Sequence, residues 1–452
     1  MSNNENRSDV DAASAMGLAD PQRPFGFVSL VALVVASMIG TGVFTTSGFA
    51  MGDLKDSRLV LAVWCIGGLI ALCGAIGYGA LAARLPGSGG EYLYLSRSIH
   101  PAIGFLAGWI SLIAGFTVPM AVSAKAFATY FLSGWSIGEE RIAYVAAAAI
   151  GLAAVANMVS ASAGAWLQNS LVIIKLVLIT IFIVIAFSVP SGRWYANEVP
   201  TTQWPATQWQ LIRAMAGSLV WVSLSYTGFN AAIYVAGEVQ RAERWVPRSM
   251  LVATIVVTVL YLLLNYIFVH GAAADKIAFK PEVALIAAQE LHGNGLASLV
   301  RVVVCLATLT SVWSIAITGP RVYVQMTQDG VMPNWLVGRG PTPRLAILAQ
   351  AILAMIVVYF ASLEKMLGYL GLTLSLCAAV TVACVWLPAK QGERPTSWLT
   401  RIAATIYVIA SLALIVLASF SRVYEAVAAG CTIVFGLLFL AVWHFVAEAQ
   451  RQ

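Results

Sequence analysis

The constraint that dominates this chain is a succession of twelve apolar stretches, each nearly free of charge and close to the roughly 20 residues needed to cross a bilayer. They run over 25–51, 59–83, 101–131, 141–159, 166–189, 213–238, 248–270, 297–327, 345–361, 366–387, 400–420 and 424–446. In hydrocarbon every backbone N–H and C=O must be satisfied inside the segment or against protein, so stretches of this kind must be helical. Of the 452 residues, 60% are hydrophobic and 10% charged, where a soluble domain carries about 25% charged residues. The expected fold class is therefore an all-α polytopic membrane protein with twelve transmembrane helices. Short connections make successive helices antiparallel neighbours. The stretches 101–131 and 297–327 exceed the need and are expected to tilt or project. Within 271–296, the longest connection, "PEVALIAAQELHG" reads as a short surface helix.

Several functions drop out at this stage. The formal charge of +6 is scattered through short loops, so no nucleic-acid surface is expected. All six cysteines lie inside apolar stretches, which gives no disulfide framework and no zinc spacing. Four histidines far apart make no metal site, and no cofactor is expected. "GSGGEY" lacks the preceding strand and the following Gly-Lys-Ser/Thr of a phosphate loop. The polar, mixed-charge residues 1–24 have no short apolar core or cleavage site and read as a cytoplasmic tail. With the N-terminus inside, cytoplasmic segments hold fourteen Lys and Arg and outer segments ten. The Arg241/Arg244/Arg248 cluster supports that orientation, with both termini inside the cytoplasmic membrane.

"ASMIGTGVF" (Ala36 to Phe44) interrupts the first stretch with Gly40 and Gly42. A glycine costs about 1 kcal/mol against alanine in a helix interior. Gly40 lies fifteen residues after Phe25, and Gly228, in "SLSYTGFNAAIYVAGE", lies fifteen after Arg213. Matching interruptions in oppositely directed helices, five spans apart, are what an inverted repeat predicts, with the substrate site at the breaks. An unwound turn frees N–H groups at one half-helix start, where the dipole favours a carboxylate. Freed carbonyls of the other half-helix suit an ammonium group, so the pair suits a zwitterionic amino acid. The competing reading is close packing through small residues, which accounts for Gly67, Gly68, Gly74, Gly77 and Gly79 of the second stretch.

Two cations fall within stretches. Lys125, roughly 9 Å from the end of the third, can snorkel to the interface. Lys175 lies nine residues into the fifth, roughly 14 Å deep. An unpaired ammonium there costs at least about 2.5–3.5 kcal/mol, so loss of its proton or a shell of carbonyls is expected. No Asp or Glu is read as lying deep in any stretch. Glu91 and Glu238, near the basic cytoplasmic loops, are candidates for gating ion pairs, with plain solvated helix ends as the alternative.

The sequence resembles the amino acid/polyamine/organocation (APC) transporters over nearly its whole length, in the L-type and bacterial permease branch. "MIGTGVF" resembles the family's glycine-rich break, with threonine in place of serine. "ARLPGSGGEYLYL", "YTGFNAAIYVAGEVQRAERWVPRSM" and "GPRVYVQMTQDGVMP" resemble the motifs at the third, sixth and eighth spans. The resemblance implies a LeuT-type fold, with a first inverted repeat over 25–189, a second over 213–387 and peripheral helices over 400–446. It implies that Ile39, Gly40, Thr41 and Gly42 meet a substrate carboxylate, and that Tyr226, Thr227, Gly228 and Phe229 meet its amino group. Asn230 is implied to steady the turn or touch substrate. Leu224 stands where relatives often carry a gating aromatic. Lys175 matches a lysine that replaces bound sodium in relatives, with Ser311 or Ser314 as its partners and proton coupling as its role; a permanently charged peg in an exchanger or uniporter is the alternative. L-type relatives pair with a second subunit through a cysteine between spans three and four. "SGWSIGEER" has none, so no disulfide-linked subunit is expected.

These readings converge on a secondary transporter for amino acids, not an enzyme, working by alternating access against the lipid bilayer. The substrate is expected to be neutral, because no acid is read at membrane depth, with a proton as co-substrate. A polyamine or cationic amino acid porter, or an exchanger, is the nearest alternative. A non-transporting membrane sensor is the alternative of a different class.

Overall fold

The computed structural model describes residues 25–132, 139–159, 161–190, 193–197, 208–333, 336, 342–360, 363–389, 395–421 and 423–449. The expected tail 1–24, most of the third-to-fourth connection, and Arg339, Lys390, Arg394, Arg422 and Arg451 of the charge count lie outside these residues.

Helix covers every one of the twelve apolar stretches. The first is split into α1 (Phe27–Met38) and α2 (Thr41–Leu54). There follow α3 (Ser57–Arg84), the short α4 (Gly90–Ser98), α5 (Pro101–Phe131), α6 (Glu139–Val159) and α7 (Ala161–Phe187). The sixth stretch is α8 (Gln208–Ser225), a turn, and a 3₁₀ segment Ala231–Glu238. Then come α9 (Ala242–His270), α10 (Ala274–Ile277), α11 (Val283–Gln328), α12 (Arg344–Phe360), α13 (Leu363–Ala383), α14 (Trp398–Ser421) and α15 (Val423–Ala449). Among the described residues nine helical segments are long and apolar enough to cross a membrane, and Arg344–Phe360 and Ala426–Ala441 are shorter apolar helices. This is a multi-pass integral membrane protein.

Local chemistry explains the irregularities. In α5, Ser111–Thr117 is π-helical. Pro119 has no N–H to give to the carbonyl of Gly115, so the ladder loses a bond there; Thr117 donates its hydroxyl to the Leu112 carbonyl at 2.6 Å. In α11, Gly293 has φ +71°, which L residues rarely adopt, and divides a ten-residue leading helix from the long one. That leading helix is not a free surface helix. Its Val283, Ala284, Ala287, Ala288 and Leu291 stripe is fully buried, and just before it the N–H of Phe279 donates to the Gly48 carbonyl of α2 at 2.8 Å. The second-stretch glycines serve packing as expected: a Cβ at Gly67 would lie 2.7 Å from Val222, and one at Gly79 would lie 3.1 Å from Pro247 of α9.

Candidate functional site

The two broken spans touch at their breaks. A Cβ on Gly42 would sit 2.8 Å from the Cα of Ser225, and one on Gly228 would sit 2.7 Å from the Ser37 carbonyl oxygen. The glycines therefore pack, as the competing reading holds, but what they pack against is the other break. Gly228 also has φ +96°, which favours glycine. Packing and exposed backbone are the same feature here.

Around the first break, the carbonyls released by α1 are taken up by side chains. Ser311 donates to the Ala36 oxygen at 3.1 Å and lies 3.4 Å from the Ile39 oxygen. The Tyr261 hydroxyl donates to the Met38 oxygen at 2.6 Å and lies 3.0 Å from the Ser225 oxygen, so one phenol from α9 ties the two breaks together. Ser37 and Ser314 share a hydroxyl–hydroxyl bond of 2.5 Å. On the far side of the break α2 starts at Thr41 with no side-chain cap, which leaves its leading N–H groups and dipole end available. The Thr41 hydroxyl is buried with no hydrogen-bond partner among the described residues. Around the second break, no donor among the described residues reaches the carbonyls of Tyr226, Thr227 and Phe229.

Two cavities adjoin these groups. A smaller one of about 100 Å³ is lined by Gly40, Thr41 and Gly42 together with Phe49, Trp221 and Leu224. A larger one of about 140 Å³ is lined by Tyr226, Gly228, Phe229 and Asn230. Ser37, Pro119, Thr227, Ile315 and Leu374 wall both. The expected site residues are thus brought together around two adjoining chambers, not one. Ile39 lines neither and acts through its carbonyl. The carbonyl of Asn230 accepts from the Ile233 N–H at 3.0 Å, which steadies the turn, while the residue also lines the larger chamber. Leu224 is in the wall, and the aromatic pair beside it is Phe49 stacked on Trp221 at 5.3 Å.

Lys175 is fully buried. Its ammonium nitrogen donates to the Ile39 carbonyl at 3.3 Å and to the Thr310 hydroxyl at 2.9 Å. Lys175 thus reaches the first break, and its partner on α11 is Thr310, whereas Ser311 and Ser314 bond α1 directly. Neighbouring hydroxyls on one helix face different ways, and the sequence does not say which of them turns toward α7. Lys125 is half-buried near the end of its span.

The two acids behave differently. Glu238 pairs with Arg321 at 2.5 Å, as a gating ion pair requires. Arg321 also lies over the Phe25 ring at 5.6 Å, and Phe25 bridges to Val239. Glu91 forms no such pair among the described residues. It is buried, accepts from the Tyr78 hydroxyl and from the Cys377 thiol (2.9 Å), and lines the larger chamber. The two readings of Glu91, a gating ion pair or a solvated helix end, are corrected here: it stands at a helix start but is buried. The loop before the third span folds inward, and α4 starts at Gly90 beneath Tyr234, where a Cβ would clash. Two close-packed glycines before the acid were the available signal.

The profile of the amino acid permease family matches residues 25–448. Among curated proteins, the serine/threonine exchanger SteT of Bacillus subtilis is 25% identical, covering 76% of this chain and 78% of that protein. Human large neutral amino acids transporter small subunit 2 is 24% identical, covering 84% and 72%. Human b(0,+)-type amino acid transporter 1 is 23% identical, covering 83% and 78%. With the two breaks in contact beside a pair of chambers, and the match running nearly end to end, the chain belongs to the amino acid permease family of the APC superfamily.

Proposed function

We propose that this protein is a secondary transporter that carries amino acids across the cytoplasmic membrane by alternating access, independent of sodium and coupled to protons. The observation that carries the reading is the apposition of the breaks. An uncapped helix start with an unsatisfied Thr41 hydroxyl faces one chamber, and undonated carbonyls of Tyr226, Thr227 and Phe229 lie a few residues from their contact. An α-carboxylate suits the first set and an α-ammonium the second. The architecture proposed with it is twelve spans with both termini cytoplasmic, repeats over 25–189 and 213–387, and peripheral helices over 400–446.

Lys175 supports sodium independence, because its own nitrogen sits between the Ile39 carbonyl and Thr310. Those two acceptors match the two N–H bonds of a neutral amine. The third N–H of an ammonium finds no acceptor among the described residues. A proton gained at this nitrogen alters what the first break is bonded to, which is the coupling proposed. No disulfide-linked subunit is proposed, since the connection after the third span has no cysteine. Uptake of labelled amino acids into sodium-free proteoliposomes tests the reading. Accumulation driven by an imposed inward proton gradient is expected, whereas binding without accumulation would mean a sensor.

A further inference from the structure

The larger chamber holds a group that the transport reading does not use. Glu91 is 4% exposed, lines that chamber, and is bonded on one oxygen by Tyr78 and on the other by Cys377. A carboxylate offers about four acceptor positions, and a thiol is a weak donor. Among the described residues no Lys, Arg or His lines the chamber and no cation pairs with Glu91. A buried carboxylate held only by neutral donors gains from any further donor brought to it. The rest of the wall is suited to a side chain with an apolar stem and a polar end. Phe116 meets the Tyr234 ring at 5.0 Å and Phe229 meets Tyr407 at 6.0 Å, with Ser375 and Ser411 nearby in the wall.

Resting on the amino acid reading, we propose that Glu91 determines specificity: its carboxylate accepts a hydrogen bond from a donor at the end of the substrate's side chain. The head group sits at the breaks, and the side chain passes the shared wall of Thr227 and Leu374 into the larger chamber. The substrates favoured are amino acids whose side chain ends in a hydroxyl, amide or ammonium. A site built to bond a donor rejects the analogue that lacks it far more strongly than an apolar slot rejects an added hydroxyl.

Two isosteric pairs read this out in proteoliposomes: homoserine against norvaline, and ornithine against norleucine. In the unaltered protein, kcat/KM for the donor-bearing member should exceed that of its apolar isostere by tenfold or more in at least one pair; the pair that responds tells a neutral donor from a charged one. Glu91→Leu should bring that ratio to near one, whatever the change in overall uptake common to both members of the pair, and Glu91→Gln, which keeps an acceptor oxygen, should restore part of it for homoserine. Equal handling of both pairs by the unaltered protein overturns the proposal without any variant. So does an unchanged ratio in Glu91→Leu. Norvaline uptake is the separate check on transport: if none of the four enters, the transport reading falls and this one with it.

Discussion

At the residue scale, single side chains stand in for hydrogen bonds that two helices have given up. Tyr261 is the clearest case, since its one hydroxyl serves carbonyls of both breaks. Tyr261→Phe takes this hydroxyl from both carbonyls, of which the Met38 oxygen keeps the Gly40 N–H, a loss of about 1–3 kcal/mol. A lower thermal midpoint in detergent and weaker substrate binding are expected together, and an unchanged midpoint would show that the bond is dispensable. Lys175 holds the same region from the opposite side. Lys175→Ala should abolish the pH dependence of uptake in proteoliposomes while the protein still inserts; a pH profile that survives the change would assign Lys175 a purely structural role. Thr41→Val keeps the shape and removes a buried hydroxyl that has no hydrogen-bond partner among the described residues. It should raise KM several-fold with little effect on stability, because no bond within the protein is lost.

At the element scale, the two discontinuous spans work only because their glycines let backbone meet backbone. Gly228→Ala places a methyl group 2.7 Å from the Ser37 carbonyl, in a conformation with φ +96°. The two breaks must then move apart. Transport should be lost while membrane insertion persists, as measured by uptake against yield of folded protein on gel filtration. Gly42→Leu should act in the same way from the other span, since its side chain would enter Ser225. The π-helical turn of α5 belongs to the same design. It brings Gly115 and Phe116 to the larger chamber, and its cause, Pro119, walls both chambers.

At the scale of the whole molecule, contacts between distant segments are expected to hold the chambers closed. On the face that carries Arg321, the Glu238–Arg321 pair joins the sixth span to α11, and Phe25 and Val239 join the chain's first described residue to the same point. Arg321→Ala should loosen this face. A cysteine introduced at Ser375 in a cysteine-free background should then react faster with an impermeant maleimide added from that side; equal rates would mean that the pair does not hold the closure. At the other end Phe49 stacks on Trp221, and the same label added from the opposite side provides the control.

Much of this was open to the sequence and some was not. Helical stretches, the two breaks and the buried lysine follow from local rules: the length of an apolar run, the helix cost of glycine, and the cost of a charge in hydrocarbon. Each of these acts on a residue and its near neighbours, so the chain alone determines it. Which hydroxyl meets Lys175 and which aromatic rings stack depend on the rotation of one helix against another, a degree of freedom that sequence spacing does not specify. Glu91 is the sharpest instance. In the sequence it stands beside a glycine loop at a helix end, an ordinary place for a solvated acid. Only tertiary packing, by folding that loop under Tyr234 and against Tyr78 and Cys377, takes it out of water and puts it in the wall of the chamber.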